Sequence, residues 1–127
     1  MGGTVRVACI QSKSELGHKD KNLEHLADLI EEAASMGAKV IVAPEMALCG
    51  YAYASPQAVM DEAEPVPGPA TKSISELAKR LGVYVSFGLA EKAATPGMYF
   101  NSSALIGPDG EILGTYRKSH LAVEDTT

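Results

Sequence analysis

The sequence predicts an α/β fold in which a mixed β-sheet of about five strands carries helices on one face. Short apolar segments at 5–10, 40–43 and 83–89 alternate with segments of helical spacing, which is typical of parallel crossover units. Two later extended segments flank a Gly-Pro-Asp-Gly turn, which predicts an antiparallel hairpin. The 127 residues are expected to form a single domain, 1–127.

The first predicted unit is a strand, a helix and a second strand. The apolar segment 5–10 is interrupted only by Arg6, so we expect a strand that is buried on both faces. Apolar residues recur at helical spacing over 23–34, and Gly37 is the expected helix stop. The strand at 40–43 then completes a right-handed parallel crossover.

The region after Glu45 is predicted to be irregular, because it contains Pro56 and the Pro-Val-Pro-Gly-Pro sequence at 65–69. A second helix follows, with apolar spacing over 74–81 and an expected end at Gly82. The strand at 83–89 comes next.

The predicted hairpin pairs 99–106 with 111–116. Two helices can cover one face of the resulting sheet, yet its strands are apolar on both faces. We therefore expect either a longer parent protein or association through the uncovered face.

Composition excludes several classes of protein. Hydrophobic residues make up 46% of the chain, which supports a packed core rather than disorder. With 11 basic against 16 acidic side chains and no basic stripe, nucleic acid is not an expected partner. No apolar segment has the length of a membrane span and no signal peptide precedes Val5, so we expect a cytoplasmic protein without a membrane partner.

Two charged residues follow strands in places where α/β proteins bind ligands. Glu45 follows the strand at 40–43, and a carboxylate there can act as a general base or simply cap a helix or solvate a loop. Lys118 ends the last predicted strand, where an ammonium can stabilise an oxyanion or lie in solvent.

Three segments that carry these residues resemble the N-terminal half of the nitrilase superfamily of carbon–nitrogen hydrolases. They are Pro-Glu-Met-Ala-Leu-Cys-Gly-Tyr at 44–51, Tyr-Phe-Asn-Ser-Ser-Ala at 99–104 with Gly-Pro-Asp-Gly at 107–110, and Tyr-Arg-Lys-Ser-His-Leu at 116–121. The segments at 7–11 and 37–44 also fit, so the resemblance extends over essentially the whole chain.

The resemblance implies a four-layer αββα sandwich, of which this chain is half, and a catalytic triad of glutamate, lysine and cysteine. By this mapping Glu45 is the general base for the thiol, and Lys118 stabilises the tetrahedral intermediate. Their opposite charges would keep both ionised despite burial. The thiolate attacks an amide or nitrile carbon, and water hydrolyses the acyl-enzyme.

The family places its cysteine after the lysine, in a second half of the fold that this chain lacks. We therefore expect a fragment, whether truncated, proteolysed or from an interrupted gene, that is inactive alone. The parent is expected to act on a small amide, carbamoyl or nitrile substrate, with amidase or carbamoylase activity favoured.

Four further residues are candidates for smaller roles. Glu124 is the candidate for a second acid that holds the lysine, and Tyr51 is a candidate for substrate binding. Cys49 is near the expected pocket, but loop packing is favoured over nucleophilic chemistry. Cys9 is expected in the core, and both cysteines are expected to be reduced.

No metal or nucleotide cofactor is expected, because neither ligand spacing nor a phosphate-binding glycine loop is present in the sequence. A different class of function stays open beside the hydrolase. In it the chain is a non-catalytic interaction module that forms a homo-oligomer through its uncovered sheet face.

Overall fold

The computed structural model describes residues 2–51 and 53–121. In this part of the chain a single mixed sheet has the strand order β1-β2-β3-β4-β5. Its strands are β1 (Val7–Cys9), β2 (Val40–Val42), β3 (Tyr84–Lys92), β4 (Tyr99–Ile106) and β5 (Ile112–Arg117). The pairs β1–β2 and β2–β3 are parallel, whereas β3–β4 and β4–β5 are antiparallel. The predicted mixed sheet and terminal hairpin are confirmed.

Two long helices, α1 (Lys19–Ser35) and α3 (Pro69–Leu81), connect the parallel strands and contact each other. Each ends close to the glycine that the sequence indicates: Gly37 has a φ of 89° and Gly82 a φ of 65°. Glycine adopts these left-handed conformations without steric cost, and so both helices stop there. In the described part of the chain, no helix has the length and apolar character that crossing a membrane requires.

A third helix, α2 (Pro56–Glu62), lies where the sequence predicted only irregular structure. Ser55 caps it by accepting a hydrogen bond from the Ala58 amide at 3.3 Å, and Pro56 occupies the first turn, where its missing N–H is tolerated. None of its residues is fully buried, and a helix of seven residues is too short to show a repeated apolar face in the sequence.

The hydrophobic core fills the space between the sheet and the two long helices. Cross-strand register aligns Ile41 of β2 with Val85 of β3, and Val85 with Ile106 of β4. All three are fully buried, so this row faces the helices. Helix side chains such as Ile30 and Ile74 are likewise completely buried. The sheet and the two long helices thus share one continuous core.

The other face of the sheet, which we call the uncovered face, carries exposed apolar side chains. The first strand was predicted to be buried on both faces, and this is wrong: Val7 is 56% exposed and Cys9, predicted as core, is also exposed. The reason is that α1 and α3 pack on one face alone. Large exposed side chains of the uncovered face are Val7, Val42, Tyr84, Leu105 and Tyr116.

Candidate active site

Glu45 follows β2 in a tight turn that lies against β3. The Gly88 amide donates to the Pro44 carbonyl at 3.2 Å. A Cβ at Gly88 would lie 2.3 Å from the Met46 nitrogen and 2.8 Å from the Glu45 Cα, so this approach requires glycine. Met46 itself has a φ of 52°, a conformation that is uncommon for a side-chain-bearing residue. The turn therefore fixes Glu45 by close backbone packing.

Lys118 comes directly after β5, and its ammonium reaches Glu45. Its backbone amide donates to the Asn101 carbonyl at 2.8 Å, which continues the β4–β5 ladder. The Lys118 Nζ lies 2.9 Å from Glu45 Oε1, and the two residues are 73 positions apart in the sequence. The structure thus brings together the two residues that the sequence singled out.

Asn101 is a third member of the site, for which the sequence predicted no role. Its Nδ2 donates to Glu45 Oε1 at 2.7 Å, so the amide and the ammonium share one carboxylate oxygen. The available signal was its place in the hairpin, since pairing of 99–106 with 111–116 puts Asn101 beside Lys118 on the same face.

Tyr51 also contacts the carboxylate of Glu45. A hydrogen bond from the Tyr51 phenol, followed by those from Lys118 and Asn101, lowers the pKa of Glu45 below its usual range. Glu45 is therefore ionised at neutral pH. Burial was predicted for the pair, but the side chains of Glu45 and Lys118 are 44% and 30% exposed. The site is open because it lies at the edge of the uncovered face.

A cavity of about 480 Å³ adjoins this cluster. Tyr51 and Asn101 line it, together with apolar side chains that include Met46, Val59 and Leu121. A mainly apolar cavity with a few convergent polar groups is typical of small-molecule sites.

Neither cysteine is among the residues that line the cavity beside Glu45. Cys49 is 1% exposed, and burial raises the pKa of its thiol, which disfavours the thiolate. This agrees with a packing role. Glu124 lies outside the described residues. Within 2–51 and 53–121 no group of three or more His, Cys, Asp or Glu side chains is arranged to hold a metal.

Replacing Tyr51 with phenylalanine is expected to raise the pKa of Glu45, because the carboxylate loses one hydrogen bond to its charged form. A ¹³C NMR titration of the glutamate carboxyl groups measures this. Tyr53→Phe is the matched control, since Tyr53 lines the same cavity but donates to the Cys49 carbonyl at 2.5 Å. Equal Glu45 pKa values in the Tyr51→Phe variant and the unaltered chain would contradict the assignment.

Known proteins have sequences similar to that of this chain. Residues 6–127 match the family described as carbon-nitrogen hydrolase. A nitrilase from Pyrococcus abyssi is 36% identical over 118 residues, which make up 92% of this chain and 44% of that protein. The bovine (Bos taurus) omega-amidase NIT2 is 38% identical over 119 residues, 93% of this chain and 41% of that protein. The chain thus spans about two fifths of the length of these relatives.

Solved structures share the fold. The crystal structure of an N-terminal amidase superposes with a TM-score of 0.83 at 20% identity over 94% of this chain and 29% of that protein. An amidase from Nesterenkonia sp. superposes with a TM-score of 0.75 at 22% identity, over 96% of this chain and 46% of that protein. The predicted nitrilase-type fold is confirmed by these similarities, and the family match establishes that the chain belongs to the carbon-nitrogen hydrolase family.

Proposed function

We propose that this chain contributes the base and the oxyanion-stabilising cation to a thiol-dependent amide hydrolase. The observation that carries the proposal is the convergence of the Lys118 ammonium and the Asn101 amide on one oxygen of Glu45. The cluster lies at the carboxyl end of β2, beside a cavity, which is where open α/β sheets bind ligands. The nucleophilic cysteine is proposed to come from a part of the protein outside this chain.

In the proposed reaction, Glu45 takes the proton from the cysteine thiol, and the thiolate adds to the amide carbonyl carbon. The Lys118 ammonium stabilises the oxyanion of the tetrahedral intermediate. The proton on Glu45 passes to the leaving nitrogen as the C–N bond breaks, which leaves a thioester. Glu45 then takes a proton from water as the water attacks the thioester. As the C–S bond breaks, Glu45 returns this proton to the leaving thiolate, so the acid product is released and the enzyme regains its cysteine thiol.

The uncovered face gives the second half of the protein a place to pack. Burial of its exposed apolar side chains would be favourable at about 25 cal/mol per Å². Covering this face would also remove water from around Glu45. Desolvation raises the pKa of a carboxyl group, so the covered glutamate would be a stronger base than the open one.

The proposed substrate is a small molecule with an amide or carbamoyl group. Tyr51 is proposed to contact it, since the phenol lies in the cavity wall beside Glu45. Amide substrates are favoured over nitriles because the bovine sequence relative is an omega-amidase and both of the structurally similar proteins are amidases. The two unbridged cysteines fit a reducing compartment such as the cytoplasm.

Ammonia release from a panel of small amides and carbamoyl compounds tests the proposal. The complete gene product is expected to turn over at least one of them, and residues 1–127 alone are expected to turn over none. Hydrolysis by 1–127 alone at the rate of the complete protein would contradict an external nucleophile.

A second candidate function is that of a non-catalytic module that dimerises through the uncovered face. It is favoured by the exposure of Tyr84 and Tyr116, which are 42% and 64% exposed. A second copy of the same chain would bury these rings against each other's sheet. Sedimentation at micromolar concentration is expected to show a dimer if this is correct, and a folded monomer would count against it.

A further inference from the structure

A second carboxylate cluster lies on the helix-covered face of the same strands. Arg117 donates to Glu91 through two bonds, from Nε to Oε2 at 3.0 Å and from Nη2 to Oε1 at 2.6 Å. The Ser102 hydroxyl donates to Glu91 Oε2 at 2.5 Å. The guanidinium also stacks 4.0 Å from the centre of the Phe100 ring. We call Glu91, Ser102 and Arg117 the Glu91 clamp.

The clamp and the candidate site are built from neighbouring residues of the same two strands. Arg117 precedes Lys118, and Ser102 follows Asn101. Successive side chains of a strand point to opposite faces, so each strand end sends one donor to Glu91 and the next to the active-site glutamate. Arg117 is also the cross-strand partner of Ser102. Fixing one pair of donors on the covered face therefore fixes the other pair on the uncovered face.

The edge strand β5 has few contacts that fix its pairing register. In the described sheet it pairs with β4 alone, and its register shifts between Leu105 and Ile106. A slip by one residue would exchange the faces of Arg117 and Lys118. Charge alone does not prevent this, because either cation can pair with either glutamate. The planar guanidinium of arginine prevents the slip, because it bonds a carboxylate through two parallel N–H groups and stacks on an aromatic ring, which a lysine ammonium does not do in the same way.

Because Glu91 is more deeply buried than Glu45, loss of its partner Arg117 would cost more stability than loss of Lys118 from Glu45. The Glu91 side chain is 5% exposed, against 44% for Glu45. A buried carboxylate without its partner is strongly destabilising, whereas an exposed one is solvated by water. The contacts between Arg117 and Glu91 on the covered face therefore fix the position of the end of β5. Lys118, the next residue, is positioned with it.

We propose that Arg117 and Glu91 are positioning residues, which hold the end of β5 so that the Lys118 ammonium reaches Glu45. The catalytic consequence rests on the proposed function, but the geometric statement does not. It can be tested on residues 1–127 without any substrate.

The test is a ¹³C NMR titration of Glu45 in three variants. Glu91→Gln and Arg117→Lys are expected to raise the pKa of Glu45, because Lys118 and Asn101 no longer lie at hydrogen-bond distance. The expected direction is diagnostic. Loss of the negative charge of Glu91 would by itself lower the pKa of Glu45, and Arg117→Lys leaves the charge unchanged.

Lys19→Met is the matched control. It removes a cation that lies 3.2 Å from Glu64, another glutamate whose side chain is 5% exposed. Lys19 also donates to the Glu62 carbonyl, and both of these partners lie outside β4 and β5. This variant is expected to lose stability without a change at Glu45. The control therefore shows whether a general loss of stability is enough to raise the pKa of Glu45.

An unchanged Glu45 pKa in folded Arg117→Lys protein would overturn the proposal, and this variant decides the question if Glu91→Gln fails to fold. In the complete enzyme, Arg117→Lys is expected to lower kcat by about 10²-fold with little change in KM, as for a misplaced catalytic group. If the pKa responds but no hydrolysis is found for any form of the protein, the positioning role stands and the proposed function fails.

Discussion

Replacing Lys118 with methionine in the complete enzyme is expected to lower kcat for amide hydrolysis by about 10²–10³-fold, with a smaller effect on KM. The ammonium lies 2.9 Å from Glu45, and in the proposed reaction it stabilises the negative charge that develops on the carbonyl oxygen. Loss of one oxyanion-stabilising group typically has an effect of about this size. Steady-state kinetics of ammonia release measure it.

Glu45→Gln should be at least as damaging, because the amide keeps the shape of the side chain but accepts no proton. An effect of about 10²–10⁴-fold is typical for loss of a general base. The matched control is Lys72→Met, which removes an exposed lysine from α3 and leaves the site intact. Full activity in Lys118→Met, or equal losses in Lys118→Met and Lys72→Met, would contradict the assigned roles.

Replacing Gly88 with alanine should displace the turn that carries Glu45. The new Cβ would meet the Met46 nitrogen at 2.3 Å, which is backbone and cannot rotate away. Overpacking of this kind lowers the free energy of unfolding by about 1–3 kcal/mol. Because the turn moves, the pKa of Glu45 is also expected to rise toward its ordinary value as the bonds to Lys118 and Asn101 are lost.

Gly114 supplies the control for this substitution. It lies in β5 on the same face of the sheet, opposite Leu105, and a Cβ there would meet no atom within 4 Å. Gly114→Ala is therefore expected to leave both the free energy of unfolding and the Glu45 pKa nearly unchanged. Denaturant unfolding and NMR titration of the two variants measure the difference, and equal behaviour would contradict the role of Gly88.

The sequence predicted the sheet well because its signals are local. The Gly-Pro-Asp-Gly turn indicates the β4–β5 hairpin, and Gly37 and Gly82 mark the helix ends without reference to the rest of the fold. The residues 56–62 lacked such a signal. Their helix is short and contains no fully buried residue, and the prolines around it are typical of irregular structure.

Features that depend on tertiary contacts were harder to predict from the sequence. Cys9 lies in an apolar strand, but which face of a strand is covered depends on where the helices pack. Asn101 became visible as a site residue only through the β4–β5 register. Glu45 and Lys118 were identified because they follow strands within segments that resemble a known family, whereas their exposure follows from the open face.

The most direct test of an external nucleophile is to trap the acyl-enzyme of the complete gene product and map it. Acid quenching during turnover of an amide substrate, followed by peptide mass spectrometry, locates the acyl group. We expect it on a cysteine outside residues 1–127, with Cys9 and Cys49 unmodified, and we expect no adduct when 1–127 alone is treated in the same way. An acyl group on Cys49, or on any residue of 1–127, would contradict the proposal that this chain supplies the base and the cation but not the nucleophile.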